Sequence, residues 1–464
     1  EENYLVYSMI CCPTDKVYIL YSNGSAGGEA LEPSAFVSKI VGGFSDVNIT
    51  NFKLSSNGEF TPQSAHVAFL EIGRLEDNDF ANVKESLNKY PEYIGKINSM
   101  INSTEEYDFS ISPDLSRKLF GSNIKVSATK FDTYHKCSLS YFLKSGLRIK
   151  KLQKADLNVL QRGTIAHYVL EKIVEKHGSS LASLTPVQIS SEVDVLIHEY
   201  MSSVRGAEIL MTARFAFLLN KISASVKEIV YHIAEEFAQS EFVPRFCELS
   251  IGDGGDIPKI EYTLSGDSSI CLEGKIDRVD VYKNNVRVVD YKTGKMTFTL
   301  SDTLVGLNMQ MLLYLYAVVK NGGGLIDDPQ PAGILYMPAK KGKATKNLKM
   351  NGLIVDDEDV LKAMEKENEG RFIPKLSAKS EHHISSETFG LIFSKIDELI
   401  VNMGKTVHKG SFSADATDGA NIKACAYCDF ATICRSSNKE HTKAAKLTNS
   451  EVVELLKRGE DGGI

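Results

Sequence analysis

The sequence predicts an α/β protein built on a mixed central sheet flanked by helices. Three observations carry the prediction. Residues 155–240 read as mostly helical and end in FAFLLNKISASVKEIVYHIAEEFAQS. The period then switches to four strand-like runs, FCELSIG, IEYTLS, ICLEGKIDRVDVYK and NVRVVDYKTG, with turns between them. Helix returns in NMQMLLYLYAVVK and strand in PAGILYMPA, the alternation of a sheet covered by helices.

The elements around that core follow in order. KVYILYS, residues 16–22, reads as a strand with a Gly-rich turn after it, and EPSAFVSKIVGGF, residues 32–44, as a short helix with Pro and Ser at its start. Residues 79–103 carry a helical pattern. SPDLSRKLFG leads into KVSATKFDTYHKCSLSYFLKSGL, read as one amphipathic helix with aromatics at helical spacing and Gly146 after its end. Asn284-Asn285 is expected as a tight hairpin turn. A helix over 387–404 precedes a cysteine-rich end, and no internal repeat stands out. The divisions are 1–60 as an α/β segment, 61–125 as a helical connector, 126–440 as the main domain and 441–464 as a tail.

Composition narrows the function classes. The chain has 464 residues, 43% of them apolar, which suffices for a large core. A net charge of −7 argues against a uniformly basic DNA-coating protein and leaves room for local basic patches. Two such stretches, Arg148–Lys154 and the lysines between Lys340 and Lys349, are either solvated surface or a path for phosphates. No apolar run reaches the roughly 18 residues of a membrane span, so no membrane partner is expected. The run from Met309 to Val319 reads as a buried helix. The chain begins at Glu1, read as lying inside a folded element, and is expected to be a piece of a longer protein.

The chemistry concentrates in VVDYKTGK, residues 288–295. Alternate residues of a strand share a face, so Asp290 and Lys292 sit side by side, as a surface ion pair would also do. If the hairpin turns the chain back, Asp277 of EGKIDRVDVY comes from the adjacent antiparallel strand, about 5 Å from Asp290. Two carboxylates that close repel unless a cation lies between them, and Mg²⁺ with its oxygen ligands is the natural candidate. Lys292 beside it can orient a water or stabilise charge on a phosphate oxygen. His167 shares a helix face with Leu170, Glu171 and Val174, a pattern that an ordinary core histidine would also show. Gln310 and Tyr314 lie one turn apart on the following helix, which could equally be a core helix with a polar tip.

Taken in order, R-G-x3-H-x2-L-E, G-x-I-D-R-x-D, V-V-D-Y-K-T-G and Q-x3-Y resemble the nuclease domain of RecB-type enzymes, within the PD-(D/E)xK superfamily. The resemblance runs over Arg162 to Ala317 and implies a restriction-endonuclease-like core with one site. In it His167, Asp277 and Asp290 hold Mg²⁺ with the main-chain carbonyl of Tyr291, Lys292 aligns the attacking water, and Gln310 and Tyr314 fall on the supporting motif. The implied activity is Mg²⁺-dependent exonucleolytic cleavage of DNA phosphodiesters.

Cys425-x2-Cys428-x5-Cys434 is compatible with zinc, with free thiols, or, with Cys137 from the other side of the domain, with a [4Fe–4S] cluster. The four-cysteine arrangement resembles the B subunits of AddAB-type helicase–nucleases, where the cluster staples the two ends of the nuclease domain. That resemblance spans roughly 105–436. It implies DNA and an A subunit as partners, the bacterial cytoplasm as location, break processing for recombination, and cutting of the 5′-ended strand. Ser138 stands where such proteins usually have Pro after the first cluster cysteine. Residues 1–44 resemble the end of a helicase motor domain, but the stretch Met9–Asp15 lacks the ATP-contacting Arg and no phosphate-binding loop occurs, so no ATPase is expected. Cys11, Cys12, Cys247 and Cys271 are expected to be buried thiols. CRISPR-adaptation nucleases, which combine a similar site and cluster on much shorter chains, and a non-catalytic DNA-binding module are the competing readings.

Overall fold

Hydroxyl and carboxylate caps start many of the helices. Ser112, Ser127, Asp357 and Ser385 each accept a hydrogen bond from the backbone N–H three residues on, and Thr448 forms a full capping box with Glu451. Each such cap satisfies a donor that the helix cannot satisfy itself. The computed structural model describes residues 2–22, 32–44, 47, 49, 69, 77–102, 109–150, 159–203, 213–292, 298–338, 348–367, 369–375, 381–434 and 441–459. The chain divides into two compact units, 1–106 and 107–464.

The first unit contains helices α1 (Glu2–Cys11), α2 (Ala35–Gly43), α3 (Asp77–Leu87) and α4 (Pro91–Asn102). Helices α3 and α4 bury Val83, Leu87 and Ile97 together, and Phe69 stacks on Tyr93. The expected strand at 16–22 is not formed. Among the described residues nothing pairs with it, and Tyr18 and Leu20 are 79% and 87% exposed. Alternating apolar residues make a strand only where a neighbouring strand supplies the ladder. Cys11 and Cys12 are exposed and not buried as expected, Cys247 is partly buried, and Cys271 is buried.

The second unit opens with α5 (Pro113–Phe120), β1 (Asn123–Val126), α6 (Ala128–Lys136) and α7 (Ser138–Tyr141), which runs into a wide π turn over Phe142–Gly146. The single helix expected over this stretch is broken at Cys137, whose backbone is extended at φ −168° and ψ 114°. The cause is tertiary. Leu139 N donates to Ser413 O and Ser413 N donates to Ser138 Oγ, which pulls the chain onto a segment far along the sequence. Gly146, expected after the helix end, is the last residue of the π turn, where a Cβ would sit 2.8 Å from the Phe120 ring.

Helices α8 (Val159–His177), α9 (Pro186–Ser203) and α10 (Ala213–Gln239) follow, then strands β2 (Val243–Ile251), β3 (Ile260–Thr263), β4 (Ser269–Leu272), β5 (Gly274–Tyr282) and β6 (Asn285–Lys292). The run read as one strand, ICLEGKIDRVDVYK, is two. Residues up to Leu272 pair with β1 and β3, Glu273 N donates to Val126 O, and from Gly274 the chain pairs with β2. The change of partner, invisible in a continuous apolar pattern, moves the chain between sheets. The hairpin turn falls one residue earlier than expected, at Lys283–Asn284, because Tyr282 pairs with Asn285. Lys283 adopts a left-handed φ of 55° to make it.

The chain continues through α11 (Gln310–Asn321), β7 (Gln330–Pro338), β8 (Asn351–Val355), α12 (Glu358–Met364), β9 (His383–Ile384), α13 (Ser386–Lys409), β10 (Thr417–Asp418), α14 (Ala431–Cys434), β11 (Thr442–Lys443) and α15 (Asn449–Arg458). The central sheet has the order β2-β5-β6-β7-β8-β9 and is mixed: β5 runs antiparallel to both β2 and β6, while β6 and β7 run parallel. A smaller sheet has the order β1-β4-β3. Strands β6 and β7 are buried on both faces, as expected of strands covered on both sides. Helix α11, from the apolar Met309–Val319 run, is buried along most of its length.

Candidate active site

The site begins with the register of two strands. Arg278 pairs with Val289 across β5 and β6, and one step further the same register sets Asp277 opposite Asp290. Both carboxylates lie on the face away from Arg278. Tyr291 N donates to Asp277 Oδ2 at 3.2 Å. Lys292, two residues beyond Asp290, returns to the same face and places Nζ 2.8 Å from Asp290 Oδ2. That contact is an ion pair that favours the charged form of Asp290.

Two helices complete the group. Helix α11 starts at Gln310, whose Oε1 accepts from Lys292 Nζ at 3.1 Å and whose Nε2 donates to Asp290 Oδ1 at 3.4 Å. Tyr314, one turn on, is buried, and its ring closes over Gly274, where a Cβ would lie 2.9 Å from Cε1. Helix α8 carries His167, with Nδ1 3.2 Å from Asp277 Oδ2 and the ring edge-on to Tyr291. The Tyr291 backbone also hydrogen-bonds that ring. His167, Asp277, Asp290, Lys292 and Gln310 therefore form one continuous set of contacts, with the Tyr291 main chain between the two acids and Tyr314 beside them.

The electrostatics are those of crowded acids. Burial, and then the charge of Asp277, push the Asp290 carboxyl up to about 6, against the pull of Lys292 and His167. The hydrogen bond to Asp277 raises His167 above its ordinary value. Burial raises the Tyr314 hydroxyl. Two facing carboxylates together with an imidazole make a donor set of the kind a hard divalent cation uses. Among the described residues, no three or more His, Cys, Asp and Glu side chains are already drawn together at a geometry that could hold a metal ion.

The opposite face of β5 and β6 holds a group that sequence reading missed. Arg278, Asp280, Arg287 and Glu236 are all fully buried. Asp280 Oδ2 accepts from Arg278 Nη2 and Arg287 Nε at 2.8 Å each, and Glu236 of α10 pairs with both arginines. Arg278 Nη1 donates to the Tyr291 hydroxyl at 3.2 Å. The quartet thus fixes from below the residue that separates Asp290 from Lys292. In the sequence Glu236 looks like its exposed neighbour Glu235. Its spacing of three and one from the apolar Ile233 and Phe237 was the available signal.

Asp132 of α6 was also missed. Its Oδ1 accepts from Met309 N at 3.1 Å, at the start of the helix that carries Gln310. Burial pushes its carboxyl up to about 6, and Lys136 and Lys292 act in the opposite direction.

The four cysteines of the second group are partly buried, and none of the eight is in a disulfide. Cys137 lies at the break between α6 and α7, its Sγ 3.8 Å from Ser413 O. Burial pushes its thiol up, and the fields of Cys428 and Cys425 add to this. Cys425 responds in the same way to burial, Cys428 and Cys434. The two ends of the domain therefore meet in one neighbourhood. Buried carboxylates build the loop: Asp418 Oδ1 accepts from Ala424 N and Asp302 Oδ1 from Ala420 N, each at 2.8 Å. Of the basic stretches, 151–158 and 339–347 lie outside the described residues.

The chain is similar over nearly its whole length to bacterial proteins that carry the name of the B subunit of an ATP-dependent helicase/deoxyribonuclease. It is 28% identical to that of Clostridium acetobutylicum, over 99% of this chain and 44% of the relative. For Clostridium novyi the identity is 27%, over 99% and 45%, and for Alkaliphilus metalliredigens 25%, over 99% and 44%. The chain thus spans less than half the length of these relatives. No described helix is long and apolar enough to cross a membrane. Residues 125–435, which contain both the carboxylate site and the cysteine group, match the PD-(D/E)XK nuclease superfamily. With its mixed sheet and its Asp-Tyr-Lys strand end facing a second acid, the chain belongs to that superfamily.

Proposed function

We propose that the chain is the nuclease portion of the B component of a helicase–nuclease and hydrolyses DNA phosphodiesters with Mg²⁺. The observation that carries the proposal is the Asp290–Lys292–Gln310 contact set, with Asp277 facing Asp290 and His167 on Asp277. Asp277, Asp290, His167 and the Tyr291 carbonyl would hold the ion. When bound, Mg²⁺ supplies charge neutralisation at the phosphoryl oxygen and lowers the pKa of water. Lys292 holds the attacking water and stabilises charge developing on the phosphate. Gln310 fixes Lys292 relative to Asp290, and Tyr314 closes the site from the α11 side.

Cys137, Cys425, Cys428 and Cys434 are proposed to hold a [4Fe–4S] cluster, which their shared neighbourhood and all-thiol character favour. The substrate proposed is broken duplex DNA and the partner the A subunit of the same complex, in the bacterial cytoplasm. The 5′-ended strand is proposed as the one cut. The name the relatives carry supports the complex and the activity. The test incubates the purified chain with linear DNA labelled at the 5′ or the 3′ end, with Mg²⁺ or with chelator. Cleavage confined to the Mg²⁺ arm is expected. Equal cleavage with chelator, or none in either arm, counts against the proposal.

A further inference from the structure

We propose that Asp132 is a positioning residue of the nuclease site, fixing Gln310, and through it Lys292, by anchoring the turn at Asn308–Met309. The inference rests on the nuclease reading and adds a residue to it. Three features support it. First, the chain enters α11 through Asn308, which holds a left-handed φ of 58°. A non-glycine residue stays in that region only when its surroundings hold it there. Second, Met309 N is among the first donors of α11, which the helix leaves unsatisfied, and Asp132 Oδ1, 177 residues away in sequence, accepts from it at 3.1 Å. A carboxylate at this end also complements the helix dipole. Third, the next residue is Gln310, whose side chain bridges Lys292 and Asp290. A shift of the turn would move that bridge directly.

Asp132 lies on α6, a helix that ends at Cys137. One rigid element therefore runs from the cysteine group to the start of α11. Asp132 lies within the field of Lys292 and is tied to it by hydrogen bonds only through Met309 and Gln310.

The experiment compares Asp132→Ala and Asp132→Asn with the full chain, under single turnover with Mg²⁺ and by hydrogen exchange of the Met309–Leu313 amides. Asn keeps an acceptor for Met309 N and serves as the conservative rescue. Asp132→Ala is expected to slow cleavage about 10- to 100-fold without changing DNA affinity, and to speed exchange at Met309. Asp132→Asn is expected to remain within about threefold of the unmodified chain, the range of one weakened hydrogen bond. Asp132→Ala cleaving as fast as the unmodified chain, Asp132→Asn failing as badly as Asp132→Ala, or a loss traced to DNA affinity overturns the assignment. If the unmodified chain does not cleave at all, the nuclease reading is what has failed. Exchange at Met309 unchanged in Asp132→Ala then still refutes the anchor.

Discussion

Lys292 Nζ lies 2.8 Å from Asp290 Oδ2, two residues along one strand, and the pair is bridged by Gln310 from another element. A surface ion pair would need no such bridge. Asp290 is buried, faces a second carboxylate and is held against burial and repulsion by a lysine and a histidine. Such an arrangement is costly without a ligand and fits a site that gathers charge for chemistry.

Lys292→Gln keeps a polar, uncharged side chain one atom shorter and removes the ammonium. Cleavage under single turnover should fall by about 100-fold or more, as for other preorganised charge stabilisers, while DNA affinity stays within a few-fold. Gel-shift and rapid-quench measurements on the same preparation separate the two. A loss confined to affinity would make Lys292 a phosphate clamp instead.

The pH dependence of stability follows from Asp290. Its folded-state value of about 6 exceeds that of a free aspartate, about 4. Between those values this group binds more protons in the folded chain than in the unfolded one, so its contribution to stability is fullest below about pH 4 and is lost as pH rises through about 6. Burial raises Asp132 to about 6 as well, with the same sign. In chelator, Asp290→Asn should therefore show a smaller loss of melting temperature between about pH 5 and about pH 7.5 than the unmodified chain. An identical loss in both would exclude Asp290 as a source of the dependence.

Glu236→Ala should destabilise the second unit by about 3–5 kcal/mol, because it leaves Arg278 and Arg287 buried with only Asp280 between them. Chemical denaturation measures this. A change below about 1 kcal/mol would mean that the quartet relaxes into water when cut.

The site was legible in the sequence because its residues sit on short local patterns: i, i+2 on β6, one helical turn for Gln310 and Tyr314, and a hairpin that sets Asp277 against Asp290. Partner changes were not legible. The break at Cys137 depends on Ser413, the split at Glu273 depends on Val126, and the lone run at 16–22 looks like a strand although no described strand pairs with it. Asp132 and Glu236 were missed for the same reason, since their partners lie 177 and 51 residues away.

The cysteine group makes a separate prediction. A cluster on Cys137, Cys425, Cys428 and Cys434 closes a loop of roughly 290 residues, and by the cross-link estimate contributes on the order of 5 kcal/mol. Cys434→Ala should lose the brown chromophore and most of that stability, whereas Cys271→Ala, whose thiol is buried elsewhere, should keep the colour. Metal analysis of anaerobically purified protein should find about four irons per chain. One zinc per chain, or full colour in Cys137→Ala, would rule out the four-cysteine cluster.

The nuclease reading stands or falls on Asp290 as a ligand of the ion. The decisive comparison is the Mg²⁺-dependent cleavage rate of Asp290→Ala beside the unmodified chain, at matched DNA occupancy and with folding checked by circular dichroism. The variant is expected to fold, to bind DNA and not to cleave. A folded Asp290→Ala chain that cleaves within a few-fold of the unmodified rate would contradict the assignment.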